Sequence, residues 1–312
     1  MNVLFWHLHG SWATAFVQGK HRYLVPVNTG RDEWGRGRAR TYPWPDSVEE
    51  VEVGALTDDD VDVIVLQRPA ELDLVAHLRR APRVYVEHNT PRGYAPETRH
   101  PMADRDDLTL VHVTHFNDLF WDAGATRTQV IEHGVVPPAV RWTGELERLA
   151  VVTNEPARRN RVVGADLYPR FTPVAPLDVY GMGVAGLSMD GVTTHDDPPQ
   201  AAMHAEIARR RAYLHLCRWT SLGLSLIEAM QIGMPVVALA TTEAVAAVPP
   251  NAGVLATRVD TLVEAARWLI DEPEAGRILG EAARRSALIR YGLDRFLADW
   301  DRLLEDTSCA SR

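Results

Sequence analysis

Short apolar segments alternate with longer segments of helical periodicity along most of this 312-residue chain. The alternation predicts an α/β architecture, in which parallel strands form a sheet and helices cover both of its faces. In the first half of the chain, the pattern predicts strands at 2–6, 61–66, 83–87, 110–114 and 129–132 and helices at 71–80 and 117–122. Residues 28–46 are rich in Gly, Arg, Pro and Trp and are predicted to form a long loop.

The same pattern restarts after the pair Pro137-Pro138. It predicts strands at 149–153, 177–180, 191–194, 212–216, 235–239 and 253–256 and helices at 199–210, 224–232, 259–271, 274–290 and 293–304. A chain of this length usually forms more than one core. We therefore predict two Rossmann-like domains, 1–143 and 144–292, that face each other across a cleft. Residues 293–312 are predicted to be a closing helix and tail that could pack back on the first domain.

Charge and cysteine content restrict the class of protein. The net charge of −9 argues against a general nucleic-acid binder, because binding of that kind uses an excess of positive charge to displace counterions. Lys20 is the only lysine, so we expect arginines, helix N-termini and backbone amides to hold any anionic ligand. Cys217 and Cys309 suggest neither a disulfide framework nor a zinc site, which indicates a reducing, cytoplasmic location. No segment approaches the roughly 20 apolar residues of a membrane span, so we do not expect an integral membrane protein.

The most informative segment is 214–239, LHLCRWTSLGLSLIEAMQIGMPVVAL. It predicts a strand, a loop that contains Gly223, a helix from about Ser225 to Gly233, and a second strand. A glycine just before a helix lets backbone amides approach a phosphate, and the helix dipole favours the negative charge there. Glu228 lies one turn inside the helix, where a carboxylate can accept hydrogen bonds from vicinal ribose hydroxyls.

Within this segment, TSLGLSLIEAMQIGMPVV at 220–237 resembles the motif EGFGLPLLEAMACGVPVV of retaining family 4 glycosyltransferases, or glycosyl transferases group 1. The resemblance implies a GT-B fold and metal-independent transfer of a sugar, with retention, from a nucleotide sugar that serves as co-substrate. No other cofactor is implied, and a UDP-sugar is the favoured donor. Glu228 matches the glutamate that holds the ribose. The glutamate that addresses the donor sugar falls on Thr220, whose hydroxyl can bond a sugar without charge assistance.

Other segments resemble the same family in the same order. VIEHGVV at 130–136 is similar to the end of the family's first domain, and VVTNEPARRNRVVGADL at 151–167 is similar to the strand and loop that grip the diphosphate. DVYGMGV at 178–184 and the tail over 252–304 continue the likeness. The residues implied to bind the diphosphate are Gly10, Arg158, Arg159, Arg161, Gly223, Leu224 and Ser225.

In the first domain, YVEHNTPRG at 85–93 places His88 where family members often have a functional histidine. The resemblance implies that His88 bonds the sugar or the leaving phosphate, and His88, Glu228 and Arg158 form the predicted catalytic set. HLHGSWAT at 7–14 is interpreted as a loop in which Gly10 approaches the diphosphate. The acceptor-side candidates are His9, Trp12, Asn89 and Thr114.

Several alternatives stay open. No HxxxH or HExxH pair lies on a predicted helix and no Cys/His cluster has ligand spacing, so no metal site is predicted. A GT-B epimerase or pseudo-glycosyltransferase would use a similar cleft. A non-catalytic relative that binds sugar nucleotides or glycans is favoured by Thr220, and a peripheral membrane enzyme with lipid acceptors would need a larger basic patch than Arg79-Arg80. The class of the acceptor is not predicted.

Overall fold

The computed structural model describes residues 1–310, and the chain forms two compact units. One unit comprises Met1–Val136 together with the C-terminal segment that begins at Leu293. The other unit is Pro137–Gly292. The closing helix thus belongs to the same compact unit as the N-terminal half of the chain.

The first unit is built on a seven-stranded parallel sheet with the strand order β3-β2-β1-β4-β5-β6-β7. Its strands are β1 (Asn2–Phe5), β2 (Arg22–Pro26), β3 (Val48–Val51), β4 (Val63–Leu66), β5 (Arg83–Glu87), β6 (Leu108–His112) and β7 (Arg127–Val130). Its helices are α1 (Gly10–Phe16), α2 (Glu71–Leu74), α3 (His115–Phe120) and, after the second unit, α11 (Leu293–Ala310). The central strand β4 is buried along its whole length, as expected of a parallel sheet with both faces covered.

The second unit is built on a six-stranded parallel sheet with the order β10-β9-β8-β11-β12-β13. Its strands are β8 (Leu146–Val152), β9 (Leu177–Gly181), β10 (Val192–Asp196), β11 (Arg210–His215), β12 (Val236–Leu239) and β13 (Gly253–Ala256). Its helices are α4 (Pro156–Val163), α5 (Tyr168–Phe171), α6 (Gln200–Ile207), α7 (Leu224–Ile232), α8 (Ala244–Ala247), α9 (Val259–Asp271) and α10 (Pro273–Arg290). The prediction of two α/β halves with parallel sheets is confirmed.

Two strands of the first sheet were not predicted, and each has a physical reason. β3 lies at the edge of the sheet, and its sequence VEEV exposes Glu49 and Glu50, so it lacks the apolar run of a buried strand. β2 ends on Pro26, directly before the loop-like segment 28–46.

The helix predicted at 71–80 is shorter than expected. It ends at Leu74, and the chain then turns, with the Leu78 amide bonded to the Val75 carbonyl at 3.0 Å.

Two helices were interpreted as loops from the sequence. α1 shows no amphipathic pattern, because five of its seven residues are buried. α4 begins with Pro156 and ends before Gly164, which has a φ of 79°. Proline in the first turn and glycine just past the end are signals of helix boundaries, so the sequence did carry this information.

The closing helix α11 packs into the core of the first unit. Phe296 and Trp300 are buried, and the Trp300 ring lies 5.7 Å from that of Trp12 and 5.0 Å from that of Phe16. The Arg295 guanidinium donates a 3.0 Å hydrogen bond to the carbonyl of Glu132, just after β7. This packing explains why residues so far apart in sequence belong to one compact unit.

Helix α9 belongs to one of the buried apolar clusters of the second unit. α9 has one apolar face, on which Leu262, Ala266 and Leu269 pack against strand residues of the sheet. Within residues 1–310, no helix combines the length and the apolar character that crossing a membrane requires.

Candidate functional site

Each sheet has one point at which the order of its strands reverses. It lies between β1 and β4 in the first unit and between β8 and β11 in the second. Ligands of open α/β sheets bind beyond the carboxyl ends of the strands at such switch points. The loops that follow these four strands are therefore the first places to look for functional side chains.

The helix α7 begins at the switch point of the second sheet. The Ser225 hydroxyl accepts a 3.0 Å hydrogen bond from the Tyr213 hydroxyl and donates a 3.3 Å bond to the carbonyl of Val152, the last residue of β8. The first amides of a helix have no partner inside the helix, so Leu224 and Ser225 present backbone donors at this edge of the sheet. The predicted location of this helix start, next to a strand end, is confirmed.

Gly223 precedes this helix and packs against His215, the last residue of β11. A Cβ on Gly223 would lie 2.8 Å from the His215 ring carbon Cε1, so a larger residue here would require the ring to move. Burial lowers the pKa of His215 to about 4. His215 is therefore a neutral ring at neutral pH, and it supports the glycine turn rather than supplying charge to an anion.

Glu228 lies one turn inside α7 and is 2% exposed. Its Oε1 accepts a 2.9 Å hydrogen bond from Gln200 Nε2, and its Oε2 lies 3.2 Å from His204 Nε2. Each carboxylate oxygen has capacity for more than one hydrogen bond. The carboxylate is thus almost fully covered, and the half-buried Gln200 side chain is one of the groups in contact with it.

The three arginines predicted to grip a diphosphate lie on α4 and not in a loop. Arg158 is exposed and forms an ion pair with Glu155, in which Nε and Oε1 are 2.9 Å apart. Arg161 is exposed and lies 3.3 Å from Asp166. Arg159 is half-buried, and within residues 1–310 its guanidinium has no hydrogen-bond or ion-pair partner. Of the three, Arg159 is thus the guanidinium that can take an anion without breaking an existing ion pair.

Arg159 lies close to the loop that follows β11. Burial raises the pKa of the Cys217 thiol to about 11, while the charge of Arg159 acts in the opposite direction. Thr220 lies in the same loop and is half-buried. The second unit therefore brings an unpaired arginine, a threonine hydroxyl and the start of α7 to one end of its sheet.

In the first unit, three imidazoles cluster beyond the carboxyl ends of the strands. The ring centroid of His88 lies 4.2 Å from that of His9 and 6.5 Å from that of His133. Burial lowers the pKa of His9 to about 4 and that of His133 to about 3, and it holds the pKa of His88 well below its usual value. All three rings are therefore uncharged at neutral pH.

The turn that carries His88 is held by a buried carboxylate. Glu87 Oε1 accepts a 2.6 Å hydrogen bond from the Asn89 amide, and Glu87 Oε2 lies 3.0 Å from Nε2 of the buried His100. The Met102 amide donates to His100 Nδ1 at 3.0 Å, so Nε2 is the protonated nitrogen and donates to Glu87. Asn89 is exposed, and its side-chain amide nitrogen lies 3.2 Å from Glu87 Oε1.

Two acceptor-side candidates from the sequence have structural roles. Trp12 is fully buried and stacks on Phe16 at 4.8 Å, so it is a core residue and does not line an open pocket. Thr114 is buried and caps α3, because its hydroxyl accepts a 3.1 Å hydrogen bond from the Asn117 amide. The burial of Trp12 within α1 and of Thr114 at the start of α3 argues against the acceptor-side role predicted for both residues.

The interpretation of Gly10 also changes. Gly10 is the first residue of α1, not part of a glycine turn. A Cβ on Gly10 would lie 2.8 Å from the Tyr42 ring, which accounts for a glycine at this position through packing.

Sequence reasoning missed three polar residues that complete these clusters. They are Gln67, Gln200 and His204. Gln67 follows a predicted strand, and Gln200 and His204 lie one turn apart on a predicted helix, so position alone could have suggested them. Over residues 1–310, no group of three or more His, Cys, Asp or Glu side chains has a geometry that could hold a metal ion.

Comparison with protein families identifies one domain. Residues 190–286, which include α6, α7 and α9, match the model of the family Glycosyl transferases group 1. This part of the chain is thus a glycosyltransferase domain of group 1, as its resemblance to that family implied. No curated protein sequence matches the chain.

Solved structures show the fold. Sucrose-phosphate synthase from Thermosynechococcus elongatus is 13% identical and superposes with a TM-score of 0.75 over 99% of each chain. HepE from Anabaena in complex with UDP-glucose is 14% identical, with a TM-score of 0.70 over 98% of this chain and 100% of that one. A glycosyltransferase from Rickettsia africae is 13% identical, with a TM-score of 0.68 over 98% of each chain. The predicted GT-B fold is confirmed.

Proposed function

We propose that this chain, which carries a Glycosyl transferases group 1 domain on a GT-B fold, moves a sugar from a nucleotide sugar to an acceptor hydroxyl with retention of configuration and without a metal ion. The observation that carries the proposal is the start of α7 at the switch point of the second sheet, together with the unpaired Arg159 near the loop that leads into this helix. We assign the donor diphosphate to this place.

The charge at this place suits a diphosphate. The Leu224 and Ser225 amides lie at the positive end of the helix dipole, which favours an anion. Arg159 adds a guanidinium whose fork matches the geometry of phosphate oxygens. These donors would stabilise the negative charge that develops on the leaving phosphate, which is the role that a metal ion has in other transferases.

We assign the nucleoside ribose to Glu228. The covered carboxylate of this residue would become accessible when the Gln200 side chain turns away, and ribose hydroxyls would replace the hydrogen bond from Gln200. His204 would keep its contact with Oε2 and hold the carboxylate in place. Support comes from the resemblance of 220–237 to the family motif and from the position of Glu228 one turn inside the helix.

The proposed reaction breaks the bond between the anomeric carbon and the diphosphate oxygen and forms a bond between that carbon and the acceptor oxygen. If the acceptor oxygen attacks the face of the sugar from which the diphosphate leaves, the configuration at the anomeric carbon is preserved. The proton of the acceptor hydroxyl would pass to the departing phosphate oxygen, so no pair of carboxylates is required, unlike in glycoside hydrolases.

We favour a UDP-sugar as donor, and HepE, which shares the fold, was solved in complexes with UDP and UDP-glucose. We assign recognition of sugar or acceptor hydroxyls to His88, His9 and Asn89 at the carboxyl end of the first sheet.

The two isolated cysteines favour the cytoplasm as the place of the reaction.

A second function is favoured by one observation. Thr220 stands where the family motif has the glutamate that addresses the donor sugar. The hydroxyl of threonine lacks the charge of a carboxylate and forms a weaker hydrogen bond to the donor sugar. A protein that binds a nucleotide sugar without transferring it would tolerate this change.

The proposal is tested by a thermal-shift panel of nucleoside diphosphates and nucleotide sugars, followed by transfer assays with isotopically labelled sugar. A ligand that binds only the folded protein raises its melting temperature. We expect UDP and a UDP-sugar to raise it, and label to appear in an acceptor or, slowly, in free sugar. A rise with neither transfer nor donor hydrolysis would indicate the binding function, and no rise with any nucleotide would contradict both functions.

A further inference from the structure

Gln67 lies directly after β4, at the switch point of the first sheet, and every polar group of this residue has a partner. Its amide donates to Glu71 Oε2 at 2.6 Å, and its carbonyl accepts from the Tyr85 hydroxyl at 3.2 Å. Its side-chain Nε2 donates to the Trp6 carbonyl at 2.6 Å. Its Oε1 lies 2.9 Å from His88 Nε2. Gln67 is buried, so these contacts hold it in one orientation.

This set of contacts determines which nitrogen of His88 carries the proton. The Trp6 carbonyl can only accept, so the amide nitrogen of Gln67 must face it. The remaining end of the side chain is Oε1, which can only accept, so His88 Nε2 must donate. A neutral imidazole has one N–H group, and Nδ1 of His88 is consequently an unprotonated acceptor.

The surroundings of His88 keep the ring neutral and in place. The ring centroid of His9 lies 4.2 Å from that of His88, and the Trp12 ring, with its centroid 5.0 Å from that of His88, stands nearly perpendicular to it. Because burial and the neighbouring imidazoles lower its pKa, the ring does not become a two-proton donor at neutral pH. Within residues 1–310, Nδ1 of His88 has no hydrogen-bond partner.

We propose that Gln67 is a positioning residue, which fixes His88 as the Nε2–H tautomer and so reserves Nδ1 as an acceptor for a ligand hydroxyl. The identity of the ligand, a sugar or an acceptor that bears a hydroxyl, rests on the proposed function. The tautomer also limits the groups that His88 can bind. A lone pair on Nδ1 attracts a hydroxyl proton and repels a phosphate or carboxylate oxygen, so His88 recognises a hydroxyl and does not bind the leaving phosphate.

The tautomer is tested directly on the unliganded full-length protein by ¹⁵N NMR of the histidine side chains, in which an unprotonated ring nitrogen resonates far downfield of a protonated one. The His88 signals are assigned from their loss in His88→Asn. We expect unprotonated Nδ1 and protonated Nε2 in the wild type, and averaged shifts in Gln67→Leu. The exposed His115 is the matched control, whose signals should not change. A protonated Nδ1, or unchanged His88 shifts in Gln67→Leu, would overturn the proposal.

The ligand hydroxyl is tested with two substitutions of His88. The amide of asparagine can stand in place of Nδ1, whereas the longer glutamine reaches the position of Nε2 and leaves Nδ1 unreplaced. We expect His88→Asn to bind UDP-glucose within about threefold of the wild type and His88→Gln to bind it about tenfold more weakly, with UDP affinity unchanged in both.

The binding and kinetic measurements show whether the hydroxyl that Nδ1 accepts belongs to the donor sugar or to the acceptor. If both variants bind UDP-glucose as the wild type does, but His88→Gln alone raises the KM of the acceptor, the hydroxyl belongs to the acceptor. Equal losses in the two variants would overturn the role of Nδ1. If the wild type binds neither UDP nor UDP-glucose, the proposed function and the ligand assignment fail together, while the NMR result still decides the role of Gln67.

Discussion

The imidazole of His204 on α6 lies 3.2 Å from the buried carboxylate of Glu228 on α7. Together with Gln200, it satisfies a carboxylate that would otherwise be costly to bury. The acid assigned to the nucleotide ribose is thus part of the packing between two helices as well as of the candidate site. Loss of this acid should affect both the stability and the binding of the protein.

Replacement of Glu228 tests this double role. We expect Glu228→Ala to lower the free energy of unfolding by about 1–3 kcal/mol, because the buried His204 and the half-buried Gln200 lose their acceptor. We also expect it to abolish the rise in melting temperature caused by UDP. Urea unfolding and thermal shift measure the two effects, and Glu264→Ala, an exposed acid on α9, is the control. Wild-type behaviour with UDP in Glu228→Ala would contradict the ribose assignment.

The arginines of α4 offer a matched comparison. We expect Arg159→Gln to weaken the binding of UDP at least about tenfold, or about 1.4 kcal/mol, because a guanidinium that contacts phosphate forms charge-assisted bonds. Arg158→Gln removes an arginine of the same helix that is already paired with Glu155, and its effect should be small. Calorimetric titration with UDP measures both. A larger loss in Arg158→Gln than in Arg159→Gln would reverse the assignment.

The sequence was sufficient to predict two parallel sheets and all their strands except β2 and β3, because the strands of a covered parallel sheet are apolar runs that end at polar loops. It predicted β5, α7 and α9 within one residue, and it placed Gly223 and Glu228 correctly relative to α7. It did not reveal α1, because a helix buried on nearly all sides has no polar face. It also missed β3, because an edge strand has few apolar residues.

Partners of the candidate site residues were harder to predict than their positions. The sequence placed Arg158, Arg159 and Arg161 side by side, but only the packing shows that two of them have acidic partners. Likewise, Gln67 and His88 are 21 residues apart and meet because β4 and β5 are neighbours in the sheet. Side-chain pairing across strands depends on register and orientation, which apolar patterns do not encode.

Trp12 tests the distinction between a core residue and an acceptor-binding residue. We expect Trp12→Ala to lower the free energy of unfolding by about 3–5 kcal/mol, because it removes a fully buried ring that packs on Phe16 and Trp300. Trp12→Phe should cost less. Urea denaturation measures both variants. A stable Trp12→Ala protein that loses only acceptor binding would restore the interpretation drawn from the sequence.

The buried histidines predict how stability depends on pH. Burial lowers the pKa of His133 from about 6.5 in the unfolded chain to about 3 in the folded protein, so the unfolded state binds the proton more readily. The contribution of the neutral His133 ring to the free energy of unfolding is therefore complete above about pH 6.5. It is lost as the pH falls below that value, by at most about 1.4 kcal/mol per pH unit. We expect urea unfolding between pH 7 and 5 to show this decline and His133→Phe to reduce its slope. The control is His115→Phe, at an exposed site, which should keep the wild-type slope. An unchanged slope in His133→Phe would show that the His133 ring does not titrate as its burial requires.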